Sequence, residues 1–190
     1  TELTVEGAKA TDREYDGTVN VAITEGRLKG TIAGDDIQLN SSAVVGKIAD
    51  AGIGENKVVI VTGYALSGTD STNYSLIQPT DVKVTISKKA LTIKSVTVEN
   101  KKYDGKVDAT VKELVFNENP APALNTGCIA TAVFKDENVG TAKQVIVKVT
   151  LNDKNYSLTN DTIETTAAIT KADAWNIPAQ KVILKAGDKT

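Results

Sequence analysis

The chain has no histidine in 190 residues, and that absence excludes more chemistry than any other. Histidine titrates near neutrality, is the commonest metal ligand, and is the base of most nucleophilic triads. A single cysteine, Cys128, rules out an internal disulfide and, without histidine beside it, leaves no ligand set for zinc. No metal or other cofactor is expected. Acid–base work would fall to carboxylate pairs alone, and no repeated or uniquely placed pair stands out, so the chain does not read as an enzyme. Aromatic residues make up only 4%, few for a face that stacks on sugars. Neither charge dominates: 22 Lys and Arg against 24 Asp and Glu leave a net charge of −2. The signs are interspersed and form no basic patch for nucleic acid. No apolar run is long enough to cross a membrane, and no basic, apolar leader opens the sequence. Methionine is missing as well and the chain begins at Thr1, so it is expected to be a piece of something longer.

What the chain does have, it has twice. Tyr15-Asp16-Gly17 returns as Tyr103-Asp104-Gly105, 88 positions on, and Asn73-Tyr74-Ser75-Leu76 returns as Asn155-Tyr156-Ser157-Leu158, 82 positions on. The second copy is therefore about six residues shorter between its landmarks. A period near 85 exceeds that of a solenoid unit and matches a small independent domain. Leu3-Thr4-Val5 corresponds to Leu91-Thr92-Ile93, each opening twelve residues before its Tyr-Asp-Gly. Ala51-Gly52 is matched to Val139-Gly140, and the Val-rich stretch Val58–Val61 to Val145–Val149. Because the front spacing is constant, the missing six residues are assigned to one hairpin between the Val-rich strand and the Asn-Tyr landmark.

Thr and Val are abundant, and their branched Cβ favours pleated, half-buried positions. Val82, Val84 and Ile86 alternate with Lys83, Thr85 and Ser87, as Val145, Val147 and Val149 do with Ile146, Lys148 and Thr150. Such runs last five to eight residues between Gly, Asn and Asp clusters, and no segment repeats its apolar residues at helical spacing. The fold class is all-β. About seven strands per copy, at roughly 8–12 residue spacing, fit two tandem immunoglobulin-like β-sandwich domains arranged end to end. The boundaries fall at 1–87 and 88–171, with 172–190 as the start of a further module or a tail. In that last piece Trp175-Asn176-Ile177 reads as a new first strand. Between closing Ile86 and opening Leu91 there is no Gly/Ser or Pro-rich spacer, so Lys88, Lys89 and Ala90 are the expected hinge of a semi-rigid rod.

The repeated landmarks are read as structural. In Tyr-Asp-Gly the Asp bonds the backbone ahead, the Gly takes positive φ cheaply, and the Tyr buries its ring. Asn73-Tyr74 and Asn155-Tyr156 resemble the corner tyrosine of β-sandwiches, with the hydroxyl tying down a loop. Asp35-Asp36, Asp70 and Asp153 lie in oxygen-rich turns, but none has the loop spacing that makes Ca²⁺ binding specific. Trp175, the sole tryptophan, is the best candidate ligand contact, against an alternative role in packing between domains.

Taken together, Lys/Arg-x-Tyr-Asp-Gly, Gly34-Asp35-Asp36, Ala51-Gly52, Leu66-Ser67-Gly68, Asn73-Tyr74 and the closing Ile86-Ser87-Lys88 resemble the YDG/MBG-type repeats of large bacterial surface proteins and adhesins. The second copy keeps Tyr103-Asp104-Gly105, Asn155-Tyr156 and Ile169-Thr170-Lys171, but Asn117-Glu118-Asn119-Pro120 replaces the Gly-Asp-Asp segment. The resemblance implies extracellular β-sandwich repeats on a bacterial cell surface or secreted from it. Near-absence of cysteine agrees, since small secreted animal domains are usually disulfide-rich. The expected role is a stalk or spacer holding a distal domain away from the cell, with neighbouring repeats as partners. The alternative is a weak adhesion module for a host glycan or protein. Neither nucleic acid nor membrane insertion is expected of this stretch.

Overall fold

The computed structural model describes residues 1–174. Apart from one 3₁₀ turn, Ser71–Asn73, every regular element among them is a strand. The molecule is all-β and of the sandwich kind.

The second repeat shows the pattern most plainly. Its longest strand, Gly140–Leu151, turns Val145, Val147 and Val149 inward, while Ile146 between them is 41% exposed. On one side it pairs antiparallel with Cys128–Phe134, on the other with Thr162–Thr170. Asp108–Ala109 and Lys101–Lys102 complete a five-stranded sheet. Across from it, Ile93–Val98 pairs with Val111–Phe116, and Lys89–Leu91 runs parallel to Tyr156–Leu158. Leu91, Val96, Phe116 and Tyr156 come from these strands, and they meet the inward valines in one apolar core. Each such side chain contributes about 1.5–3 kcal/mol on leaving water.

The first repeat follows the same plan in shorter pieces. Glu2–Glu6 lies parallel to Ser75–Ile77, with Leu3 opposite Leu76, just as Leu91 faces Leu158. Lys83–Ser87 sits between Arg13–Glu14 and Gly54–Val58. A second core gathers Val5, Val21, Val59, Val61, Val84 and Ile86. Among the described residues, Tyr15 is the side chain packed against both cores.

Two sequence expectations change here. Gly54 pairs with Ile86 and Gly140 with Ile169, and a bulge follows in both, with Asn56 and Ala142 at φ 51° and 49°. Gly140 therefore corresponds to Gly54 rather than to Gly52, and Lys57 to Lys143. The offset between repeats is 88 at Tyr15/Tyr103, 86 at Gly54/Gly140 and 82 at Tyr74/Tyr156. The shortfall is thus split, two residues before this strand and four after it, instead of lying in one hairpin. The hinge is also shorter than expected. Strand Lys83–Ser87 ends and strand Lys89–Leu91 begins with Lys88 alone between them, because Lys89 and Ala90 already pair with Tyr156 and Ser157.

Candidate interface between the repeats

Each Tyr-Asp-Gly turn sits beside the end of its repeat's last strand. The Tyr15 N–H donates to the Ser87 carbonyl at 2.9 Å, and the Tyr103 N–H to the Thr170 carbonyl at 2.8 Å. The aspartate closes the turn. Asp16 Oδ1 accepts from the Thr18 N–H at 2.8 Å and its hydroxyl at 2.9 Å, while Arg13 pairs with it at 2.7 Å. In the second copy Asp104 Oδ1 accepts the Lys106 N–H at 3.0 Å and pairs with Lys101 at 2.7 Å. Gly17 and Gly105 follow at φ 78° and 72°, in the left-handed region. This turn needs a carboxylate, a glycine and a cation two residues before the tyrosine, and both copies supply them.

These contacts set carboxylate titration. Partial burial pushes the Asp16 carboxyl up, but the Thr18 donors and the Arg13 charge together bring it below its ordinary value. The Lys101 ammonium and the Lys106 N–H hold Asp104 below its own. Asp50 and Asp136, paired with Lys57 and Lys143, are held down in the same way. A carboxyl depressed in the folded state takes up protons less readily than in the unfolded chain. Its stabilising contribution is therefore complete above the unfolded pKa, near 4, and is lost as pH falls through the folded value. The urea midpoint should stay level from pH 7 to 5 and drop by pH 3, and Asp104→Asn should make that drop shallower. A midpoint that rises on acidification would contradict this.

The opposite end of each repeat carries the Asn-Tyr landmark, on the strand beside the repeat's first strand. At Lys88 the two ends meet. The rings of Tyr15 and Tyr156 pack edge to face, 5.3 Å between centroids at 84°. Such a pair adds about 0.5–1.5 kcal/mol beyond the area it covers. Tyr156 is only 6% exposed, and burial, with Tyr15 and Asp153, pushes its phenol up. Asn155 works on both sides. Its carbonyl accepts the Lys89 N–H at 3.0 Å, and its side-chain oxygen accepts the Ile53 N–H of the first repeat at 3.0 Å. Lys89 reaches forward to the Asn119 carbonyl, and a Cβ placed on Gly17 would lie 3.7 Å from the Pro120 ring. Ile53 was not picked out in the sequence, and Lys89 and Pro120 stood there as a hinge residue and as part of the segment replacing Gly-Asp-Asp, not as parts of this contact. Ile53 sits beside the Ala51-Gly52 turn, and only its counterpart Val139, under the corrected register, signals a shared role.

The same landmarks at the outer ends are more open. Tyr103 is 44% exposed, and among the described residues Tyr15–Tyr156 is the one aromatic pair. Tyr74 is half-buried, and its hydroxyl donates to the Asp35 carboxylate, a bond that pushes the phenol pKa up; Asn73 is exposed. The turns with clustered oxygens latch onto one another. Asp70 accepts the Asp36 N–H at 2.8 Å, and Asp36 accepts the Thr69 N–H at 3.1 Å. Trp175 and the strand expected around it lie outside the described residues.

Comparison with known proteins agrees with the repeat. The family described as the YDG domain matches residues 1–82 and again residues 87–174. No curated protein matches. No solved structure matches either.

Proposed function

The chain belongs to the YDG domain family, and from that premise we propose that it is a spacer. Its two immunoglobulin-like sandwiches lie end to end in a stalk of a secreted or wall-attached bacterial surface protein. The stalk holds a distal domain away from the cell and performs no catalysis itself. The observation that carries this reading is the junction. Lys88 is the one residue outside the strands there, and a paired Tyr15 and Tyr156 with an Asn155 hydrogen bond brace it from the side. A connection held at both ends in sheets and clamped by an aromatic pair resists bending, which a spacer requires. A chain without histidine and with few aromatics is suited to that role more than to chemistry or to sugar recognition.

Load entering at the first strand falls on its ladders with its two neighbours. Glu2–Glu6 runs parallel to Ser75–Ile77 and antiparallel to Arg27–Lys29. Tension along the chain therefore shears the ladder bonds together instead of opening them singly. Pulling single molecules by the two termini should give two separate unfolding events. Each should lengthen the chain by roughly 250 Å, about 85 residues at ~3.3–3.6 Å each less the folded length. A featureless extension, or one combined event, would sink the proposal.

A further inference from the structure

A further pattern recurs in both repeats, and in the first it lies at the junction. Asp50-Ala51-Gly52-Ile53-Gly54-Glu55-Asn56-Lys57 and Asp136-Glu137-Asn138-Val139-Gly140-Thr141-Ala142-Lys143 share Asp-x-x-x-Gly-x-x-Lys, 86 positions apart, with an aliphatic residue just before the second-named glycine position. Both instances fold alike. The glycine, Gly54 or Gly140, pairs with the last strand, and the two residues after it form the bulge. That bulge leaves one N–H of the last strand, at Thr85 or Ala168, without a ladder partner. Asp12 Oδ1 accepts the first and Asn100 Oδ1 the second, each at 2.7 Å and each three residues before a Tyr-Asp-Gly tyrosine. The lysine then folds back over the glycine. A Cβ on Gly54 would lie 3.2 Å from the Lys57 stem, and one on Gly140 would lie 3.2 Å from that of Lys143. The ammonium reaches the aspartate that opens the pattern, Lys57 to Asp50 at 2.8 Å and Lys143 to Asp136. Both lysine side chains are largely covered, at 14% and 12% exposed.

In the first repeat this pair closes the turn that meets the second. Asp50 Oδ1 accepts the Gly52 N–H at 3.0 Å, and the Lys57 ammonium donates to the Gly52 carbonyl at 2.9 Å as well as to Asp50. Gly52 is thus held through both of its backbone groups. The next N–H along the chain, that of Ile53, is the one that donates to the Asn155 side chain at 3.0 Å. A Cβ on Gly52 would lie 3.4 Å from that same Asn155 oxygen, so the turn sits directly against the following repeat. We propose that Lys57 is a positioning residue for the contact between repeats: by holding Asp50 and the Gly52 carbonyl it aims the Ile53 N–H at Asn155. Asp-x-x-x-Gly-x-x-Lys in one repeat and Asn-Tyr in the next are then the two halves of one docking surface. An ion pair with an exposed partner such as Asp50 adds little stability by itself. Its effect here is geometric, because a turn fixed beforehand spares the contact the cost of ordering it. This inference deepens the junction reading above and rests on the Asn155 bond, not on the chain's being a stalk.

Amide hydrogen exchange in the full chain tests it. Lys57→Met keeps a stem over Gly54 and removes the ammonium. Exchange at Ile53 should quicken about 3–10-fold, the net effect of losing one hydrogen bond, while Val61 in the first core stays unchanged. Lys143→Met, the same change in the second repeat, should leave Ile53 as it is. Asn155→Ala removes the acceptor and should quicken Ile53 at least as much as Lys57→Met does. Adding Lys57→Met to Asn155→Ala should then change Ile53 no further. Asp50→Asn breaks the same pair from an exposed position, and its Ile53 exchange decides the matter should Lys57→Met not fold. Unchanged Ile53 exchange in Lys57→Met or Asp50→Asn, an equal effect from Lys143→Met, or a full effect of Lys57→Met on top of Asn155→Ala would overturn the inference, since the pair would then serve only its own repeat. Those outcomes leave the spacer reading standing. Unchanged Ile53 exchange in Asn155→Ala would overturn the inference together with the junction bond that supports that reading.

Discussion

Tyr156→Ala should destabilise the second repeat by about 3–5 kcal/mol, the range for removing a large aromatic from a core. The side chain is 6% exposed and belongs to the core formed by Leu91, Val145, Val147 and Ile169. Its removal leaves a cavity beside strand Lys89–Leu91 and takes away the ring on which Tyr15 packs. Part of the loss, about 0.5–1.5 kcal/mol, is the aromatic pair itself. Tyr74→Ala should cost less, because Tyr74 is half-buried, and Tyr103→Ala should leave stability nearly unchanged. Urea unfolding followed separately at amides of each repeat, such as Val61 and Val147, will distinguish the three. A Tyr156→Ala variant within ~0.5 kcal/mol of the parent, the scatter of ordinary surface substitutions, would show that this ring is not part of the packing.

Leu91→Ala should cost about 2–5 kcal/mol, and its effect should reach the junction. Leu91 is fully buried, and its carbonyl accepts the Thr159 N–H at 3.0 Å and hydroxyl at 3.1 Å. It anchors a three-residue strand attached to the first repeat through Lys88. If the anchor loosens, Lys89 and Ala90 separate from Tyr156 and Ser157 and the hinge lengthens to the three residues expected from sequence. Hydrogen exchange at the Lys89 amide, bonded to the Asn155 carbonyl in the parent, should then quicken more than exchange in the Val59–Val61 region. Exchange at Lys89 that does not change would mean that Leu91 stabilises the core without holding the connection.

Much of this organisation was legible because strand alternation is written directly in residue type. Val145, Val147 and Val149 announce their face, and constant spacing from Leu3 to Tyr15 and from Leu91 to Tyr103 announces the shared front of each repeat. Register was harder. The bulge that follows Gly54 and Gly140 places Asn56 in one copy and Ala142 in the other at positive φ, and alanine gives no hint of that conformation. Matching by the nearest Ala-Gly or Val-Gly dipeptide therefore slipped by two residues. Distances between landmarks report only the sum of insertions and deletions, so a split shortfall looked like a single one. Tyr15 and Tyr156 stood out as repeated tyrosines, but they lie in different repeats and different motifs. Nothing local says that they touch; that follows from each repeat keeping one landmark at either end and from a connection too short to let those ends part. Tyr64, whose hydroxyl donates to the Glu25 carbonyl at 2.7 Å over Gly26, was missed because it recurs nowhere in the second copy.

The central proposal, two sandwiches set end to end by a braced one-residue connection, is a claim about shape, and small-angle scattering in dilute solution tests it most directly. One globule of 190 residues would have a radius of gyration near 16 Å by the usual scaling. Two units of about 12 Å each, with centres about 40 Å apart, give roughly 22–24 Å. The account predicts the larger value, with the distance distribution of a rod. A radius near 16 Å would mean that the repeats fold back on one another, and the spacer would have to be abandoned.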